Sequence, residues 1–124
     1  MKRDMDLIRK ILFACEAHAC GFAPHPLQVE GYDNETIGFH VLLMVEAGLL
    51  EGTDVTTMAD SSPAYLAQRM TWSGYEFLDA AREQATWNKA KGAIGTVSGV
   101  GFEIAKSVLV EFAKQQAKTV LGLV

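Results

Sequence analysis

At 124 residues the chain has room for one compact domain and, at most, an appended element. With 49% apolar and 21% charged residues it has the composition of a globular protein with a real core. The formal charge of −4 argues against nucleic acid as an obligate partner, and no run of about 18 uncharged apolar residues exists to cross a membrane.

The distribution of charge says more than its sum. Lys2, Arg3, Arg9 and Lys10 open the chain, yet no Lys or Arg occurs from Ile11 to Gln68, a span that holds eight acidic residues. Met1-Lys-Arg-Asp-Met-Asp6 lacks the apolar core of a signal peptide, so the expected location is cytoplasmic, with Cys15 and Cys20 reduced.

The first helix is expected over residues 4–19. Asp4 and Asp6 favour the positive end of its dipole, and Leu7, Ile8, Ile11, Leu12, Cys15 and Ala19 form one apolar stripe. Cys20 to Pro26 ends it, because two prolines and a glycine resist continuation. Leu27 to Tyr32 alternates weakly and reads as a short edge strand. Asp33 is the expected N-cap of a second helix over 34–47, with Gly48 as its left-handed C′ residue.

Leu49 and Leu50 then enter a short strand, polar Glu51 to Pro63 suits a turn-rich hairpin tip, and Tyr65 to Met70 returns as a second strand. Thr71 caps a third helix through about Ala85, with Tyr75, Phe77, Leu78 and Ala81 as its apolar contacts. Lys89 to Gly101 is rich in small residues and reads as a loop or loosely helical connector. Residues 102–121 form a final amphipathic helix: Phe102, Ala105, Leu109, Phe112, Ala113, Ala117 and Val120 on one side, Glu103, Ser107, Glu111, Lys114 and Lys118 on the other.

The resulting fold class is α+β and mostly helical. It is a winged-helix-like domain with a two-stranded wing over residues 1–85, plus a Gly-rich connector and appended C-terminal amphipathic helix over 86–124. The second helix is the unusual part. Ile37, Val41, Met44 and Gly48 face the core, whereas the opposite side carries Phe39, Leu42 and Val45, with Glu35 and Glu46 as its charges. A helix that reads base edges needs Arg, Lys, Asn, Gln, Ser or Thr there. A helix apolar on every side is normally covered on every side, by the C-terminal helix, a second copy of the chain or another protein.

Met1 to Arg9, Val29-Glu-Gly-Tyr32, His40 to Leu49, Leu66 to Gly74 and Leu121-Gly-Leu123 together resemble a family of small bacterial and phage-associated proteins, domain of unknown function 2513. The resemblance spans nearly the whole chain, with the N-terminal string its most specific part. It implies a winged-helix-like fold and a bacterial or prophage setting, and offers no catalytic residues to carry over. Within that broader class, His40 to Leu49 resembles the recognition helix of small bacterial repressors, but without a separate helix before it or basic residues around it.

Cys15, His18, Cys20 and His25 are four zinc-competent side chains within a short span, but the spacing is not that of a standard finger. The preferred reading is a buried cysteine, an incidental second one and two surface histidines, with no metal and no cofactor. His40 is expected to make a structural hydrogen bond. No nucleophile elbow occurs, and the glycines near Lys106 miss both the phosphate-loop and the dinucleotide register. An enzyme is therefore not expected. Gly95 and Gly99 match a helix-contact spacing that matters mainly within membranes, and membrane attachment by the last helix is not favoured.

The leading expectation is a non-enzymatic module for protein interaction or self-association, using Phe39, Leu42 and Val45 or Phe102, Leu109 and Phe112. The alternative is a DNA-binding regulator whose contacts come from Lys2, Arg3, Arg9, Lys10 and Arg69, with Lys89 and Lys91.

Overall fold

A computed structural model of the protein describes residues 2–18, 26–95, 107, 109–111 and 114. Their order is α1 (Met5–Ala17), α2 (Asn34–Glu46), β1 (Leu50–Asp54), β2 (Tyr65–Met70), α3 (Trp72–Ala81) and α4 (Gln84–Gly95). This is a mostly helical α+β architecture with a two-stranded antiparallel hairpin. The chain separates into two compact units, Met1–Tyr75 and Glu76–Val124, with the division inside α3. The sequence reading draws that line later, at 85/86.

In the first unit, α1 starts where Asp4 accepts hydrogen bonds from the backbone of Asp6 and Leu7 through one carboxylate oxygen. That cap satisfies two of the four donors a helix start leaves open. The expected stripe is real: Leu7, Ile8, Ile11 and Leu12 are all buried. Each such side chain contributes about 1.5–3 kcal/mol by leaving water. Cys15 at the end of the stripe is only half-buried, and Ala19 lies outside the described residues.

The expected edge strand over 27–32 does not form. Residues 26–29 are irregular and a turn follows, closed by Tyr32 N–H donating to the Val29 carbonyl at 3.2 Å. Two interactions outside any sheet account for this. Leu27 is buried in the core, and the Tyr32 hydroxyl donates to the Asp4 carboxylate, 3.0 Å away.

For α2, Asp33 is the cap, accepting from Thr36 N–H at 2.8 Å. That bond holds the Asp33 carboxyl below the usual carboxylate range. At the other end Gly48 takes the left-handed conformation (φ +80°) that an L-residue adopts at a cost.

The hairpin pairs Leu50 with Met70 at its base and Asp54 with Tyr65 toward its tip, with a register shift at Glu51/Gly52. The strand therefore runs further into the polar segment than its composition indicates, since a ladder needs backbone partners and not apolar side chains. Beyond it, Asp54 accepts from Thr56 N–H, Asp60 from Thr57 N–H, and Thr56 Oγ1 from Ala64 N–H. The core of this unit gathers the α1 stripe with Leu27, Ile37, Val41, Met44, Leu49, Leu50, Ala67 and Met70.

Thr71 caps α3 as expected, its hydroxyl accepting from Gly74 N–H at 3.1 Å and donating to the Gly48 carbonyl. Gly74 lies against the segment that leads from α2 into β1: a Cβ built there would fall 2.2 Å from the Leu49 carbonyl oxygen and 2.5 Å from Met70 Cγ. No side chain fits at that distance.

In the second unit the expected single helix to Ala85 is two. α3 stops at Ala81 and α4 begins at Gln84 and runs to Gly95, through residues 89–95 that read as a loop or loose helix. The break lets Trp87 meet Phe77 edge to face, centroids 6.3 Å apart, with both fully buried. Such a pair contributes about 0.5–1.5 kcal/mol beyond its buried area. Thr86, Trp87 and Ala90, all buried, carry a helical spacing that the small-residue composition obscures. Of the final helix, residues 107, 109–111 and 114 are described. Leu109 is buried while Ser107, Glu111 and Lys114 are exposed, in agreement with the amphipathic assignment.

Candidate interaction surface

α2 presents three different sides. Ile37, His40, Val41 and Met44 face inward and are buried. Gly38 and Val45 meet the hairpin: a Cβ at Gly38 would lie 2.8 Å from the Pro63 carbonyl oxygen, and one at Gly52 would lie 3.1 Å from Val45 Cγ2. Val45 thus flanks β1 and is not aligned with Phe39 and Leu42. The remaining side is a stripe of Glu35, Phe39, Leu42 and Glu46, with Leu43 beside it. Its acids are exposed and its apolar side chains half-buried. Phe39 also packs edge-on against the His40 ring, 5.7 Å between centroids. In the last helix Leu109 is buried, and Phe102 and Phe112 lie outside the described residues.

The large apolar side chains that do face solvent are others. Met58 at the hairpin tip is fully exposed, Trp72 is 81% exposed, and Tyr75 and Val55 are 44% and 41% exposed. Tyr75 is therefore not the core contact that its place in the third helix implies. Gly74, Phe77, Leu78 and Ala81 form the buried stripe of α3, and Trp72 and Tyr75, three residues apart, share a different side. The signal was present: Gly74 at the spacing of Leu78 and Ala81 marks the close-packed side and puts the two aromatics off it.

His40, fully buried, ties the helix starts together. Asp4 N–H donates to its Nε2 at 2.8 Å, so Nδ1 carries the hydrogen, which it donates to the Thr36 carbonyl at 2.8 Å. The role expected for it, a structural hydrogen bond, is the role observed. Asp4 completes the network: its second carboxylate oxygen accepts from the Tyr32 hydroxyl, and burial together with that bond pushes the Tyr32 phenol upward. The Lys10 ammonium lies over the Tyr32 ring at 5.5 Å.

That placement bears on the cations. Arg9 stacks over Phe13 at 5.0 Å, and Arg69 forks onto Glu51 with contacts of 2.6 and 2.8 Å. Lys2, Arg3, Lys10 and Lys89 are exposed, and Lys91 is half-buried. The five side chains of the DNA-binding alternative thus do not form one unengaged basic surface. Arg69 in particular is neutralised by its neighbour on β1.

Of the four zinc-competent residues, Cys15 is half-buried with its thiol pushed up to about 11 by burial, and His18 is exposed. Cys20 and His25 lie outside the described residues. Burial that disfavours a thiolate also disfavours the form that binds metal. Among the described residues, no three His, Cys, Asp or Glu side chains are placed to hold a metal ion, and no helix is long and apolar enough to cross a membrane.

A mostly helical α+β protein with an acid-flanked hairpin unit and solvent-facing aromatics is the class these observations define. The chain belongs to the DUF2513 family, described as hypothetical protein, whose model matches residues 2–101. It is similar to a protein of Haemophilus influenzae (strain ATCC 51907 / DSM 11121 / KW20 / Rd) described as uncharacterized, with 33% identity over 123 residues, 98% of this chain and 97% of that protein. No solved structure matches it.

Proposed function

We propose that this protein is a non-enzymatic, winged-helix-like module of the bacterial cytoplasm that binds protein, either a second copy of itself or a different chain. The observation that carries the reading is Trp72, four-fifths exposed at the start of α3 with Tyr75 beside it on the same side. Tryptophan and tyrosine are enriched among the side chains that dominate interface energies. An 81% exposed indole is what a binding anchor looks like before its partner arrives. The winged-helix element of the proposal rests on the order helix, hairpin, helix from α2 to α3. The acidic span from Ile11 to Gln68 and the Arg69–Glu51 pair weigh toward protein and away from DNA.

The test is sedimentation velocity over a concentration series up to about 100 μM, a range that reveals micromolar association. It compares the wild type with a Trp72→Ser, Tyr75→Ser double variant. Self-association weakened about tenfold or more in the variant, with unchanged far-ultraviolet dichroism, supports the reading in its homo-oligomeric form. A wild type that stays monomeric throughout removes self-association. Salt-sensitive binding of duplex DNA with no loss on replacing Trp72 would remove the protein-binding reading as a whole.

A further inference from the structure

We propose that the groove between the 26–27 segment, the start of α2 and the outer part of the hairpin receives a basic, apolar peptide segment of a different protein. This deepens the protein-binding reading and rests on it, at a site separate from Trp72. The groove has a volume of about 220 Å³ and is lined mainly by Pro26, Leu27, Ile37, Val55, Tyr65 and Leu66, and also by Asn34 and Ala64. It adjoins a second concavity of about 540 Å³ that shares Asn34 and Ile37 and adds Glu30 and Tyr32. Its walls are firm: Leu27 and Ile37 belong to the core, and the Val55 N–H to Ala64 carbonyl bond at 2.8 Å closes the hairpin beside it.

Charge selects the occupant. Tyr65 on the groove wall pairs across the hairpin with Asp54, whose carboxylate accepts from Thr56 N–H at 2.9 Å and is held in its ionised form by that bond. Glu30 lines the adjoining concavity, Asp33 caps α2, whose Asn34, Ile37 and Gly38 line the groove, and Glu35 on the same helix accepts from the Ser61 hydroxyl. No cation lies between Ile11 and Gln68 to offset these acids. Arg69 is paired with Glu51, and Lys10 lies over Tyr32, which lines the adjoining concavity and not this groove. An anionic strand of nucleic acid or an anionic lipid surface is repelled by such a rim. A peptide with apolar side chains for the lining and lysines or arginines for the carboxylates is complementary to it in both respects.

The test is an amide-resolved NMR titration of the full chain with a short synthetic peptide alternating Leu and Lys, against the same peptide with Glu in place of Lys. The expected result is shifts concentrated at Leu27, Asn34, Val55, Ala64, Tyr65 and Leu66 with the Lys peptide, weakened by added salt, and none with the Glu peptide. Val55 is exposed, so Val55→Arg is expected to fold and to weaken the Lys peptide about tenfold, whereas Val55→Glu retains it. Equal response to both peptides, shifts confined to other surfaces, no shifts, or displacement of the peptide by self-association each overturn the inference. Repeating the titration on the Trp72→Ser, Tyr75→Ser variant separates the two proposals. Groove binding that persists while self-association is lost upholds both, and a silent groove beside intact self-association sinks this one alone.

Discussion

α1 and α2 are helices of equal length, 13 residues each, with opposite patterning. α1 gathers its buried residues in one stripe and shows mostly polar side chains elsewhere, with Phe13 half-buried beneath Arg9, so one packed side suffices to place it. α2 is apolar nearly all round and is held on three counts: a buried side, a hairpin side, and a half-covered side edged by Glu35 and Glu46. The lesson is that amphipathicity predicts where a helix sits only when the stripe is narrow. A helix without one is covered on several sides at once, and contacts at its ends help to fix which side faces which neighbour.

The largest way to break this arrangement is His40→Ala. It removes a fully buried ring and leaves the Asp4 N–H without its acceptor, so urea denaturation should show a loss of about 2–4 kcal/mol. If α2 were held by hydrophobic packing alone, His40→Leu would be neutral. With the network in place it should still lose about 1–3 kcal/mol, through the unsatisfied backbone donor.

At the other end of α2, Gly74→Ala drives a methyl group into the Leu49 carbonyl and Met70. Overpacking against backbone predicts a cost of about 1–3 kcal/mol and a lower thermal midpoint in calorimetry. An unchanged midpoint would mean that the α2–α3 junction is looser than its geometry shows.

Asp4→Ala sharpens the comparison from the side of α1. Loss of the cap and of the Tyr32 bond should cost about 1–2 kcal/mol, and Tyr32→Phe, which removes only the latter, about 0.5–1.5 kcal/mol. Similar values for the two would assign the effect to Tyr32 and not to capping.

The smallest effect concerns pH. Hydrogen bonding to Thr36 holds the Asp33 carboxyl below its ordinary value near 4, so its contribution is complete above that value and is lost as pH falls through the lower folded one. Asp33→Asn should flatten that part of the acid-denaturation profile slightly and leave the neutral region unchanged. Comparing urea midpoints of the two proteins between neutral and acid pH checks it.

The local signals were legible wherever one residue's chemistry decides the backbone. Asp33, Gly48 and Thr71 mark their helix ends correctly, and Tyr65 to Met70 is the observed strand, because capping and left-handed turns depend on immediate neighbours. Three segments depend on distant partners and differ from their local pattern. Leu27 to Tyr32 alternates like a strand, but Tyr32 is taken by Asp4 and no sheet partner is supplied. Residues 89–95 look like part of a loop or loose helical connector, yet they belong to α4, which buries Trp87 against Phe77. Tyr75 looks like a core residue until Gly74 settles which side of α3 packs closely.

Composition and spacing by themselves determined the mostly helical α+β class, the hairpin, and the acidic character of its surroundings, since these follow from propensity, periodicity and counted charge. Only the tertiary structure decided which aromatics are left in solvent, which cations are already paired, and that a groove opens beside Val55 and Tyr65. Those are properties of residues distant in sequence brought together, and no local pattern encodes the distance between them.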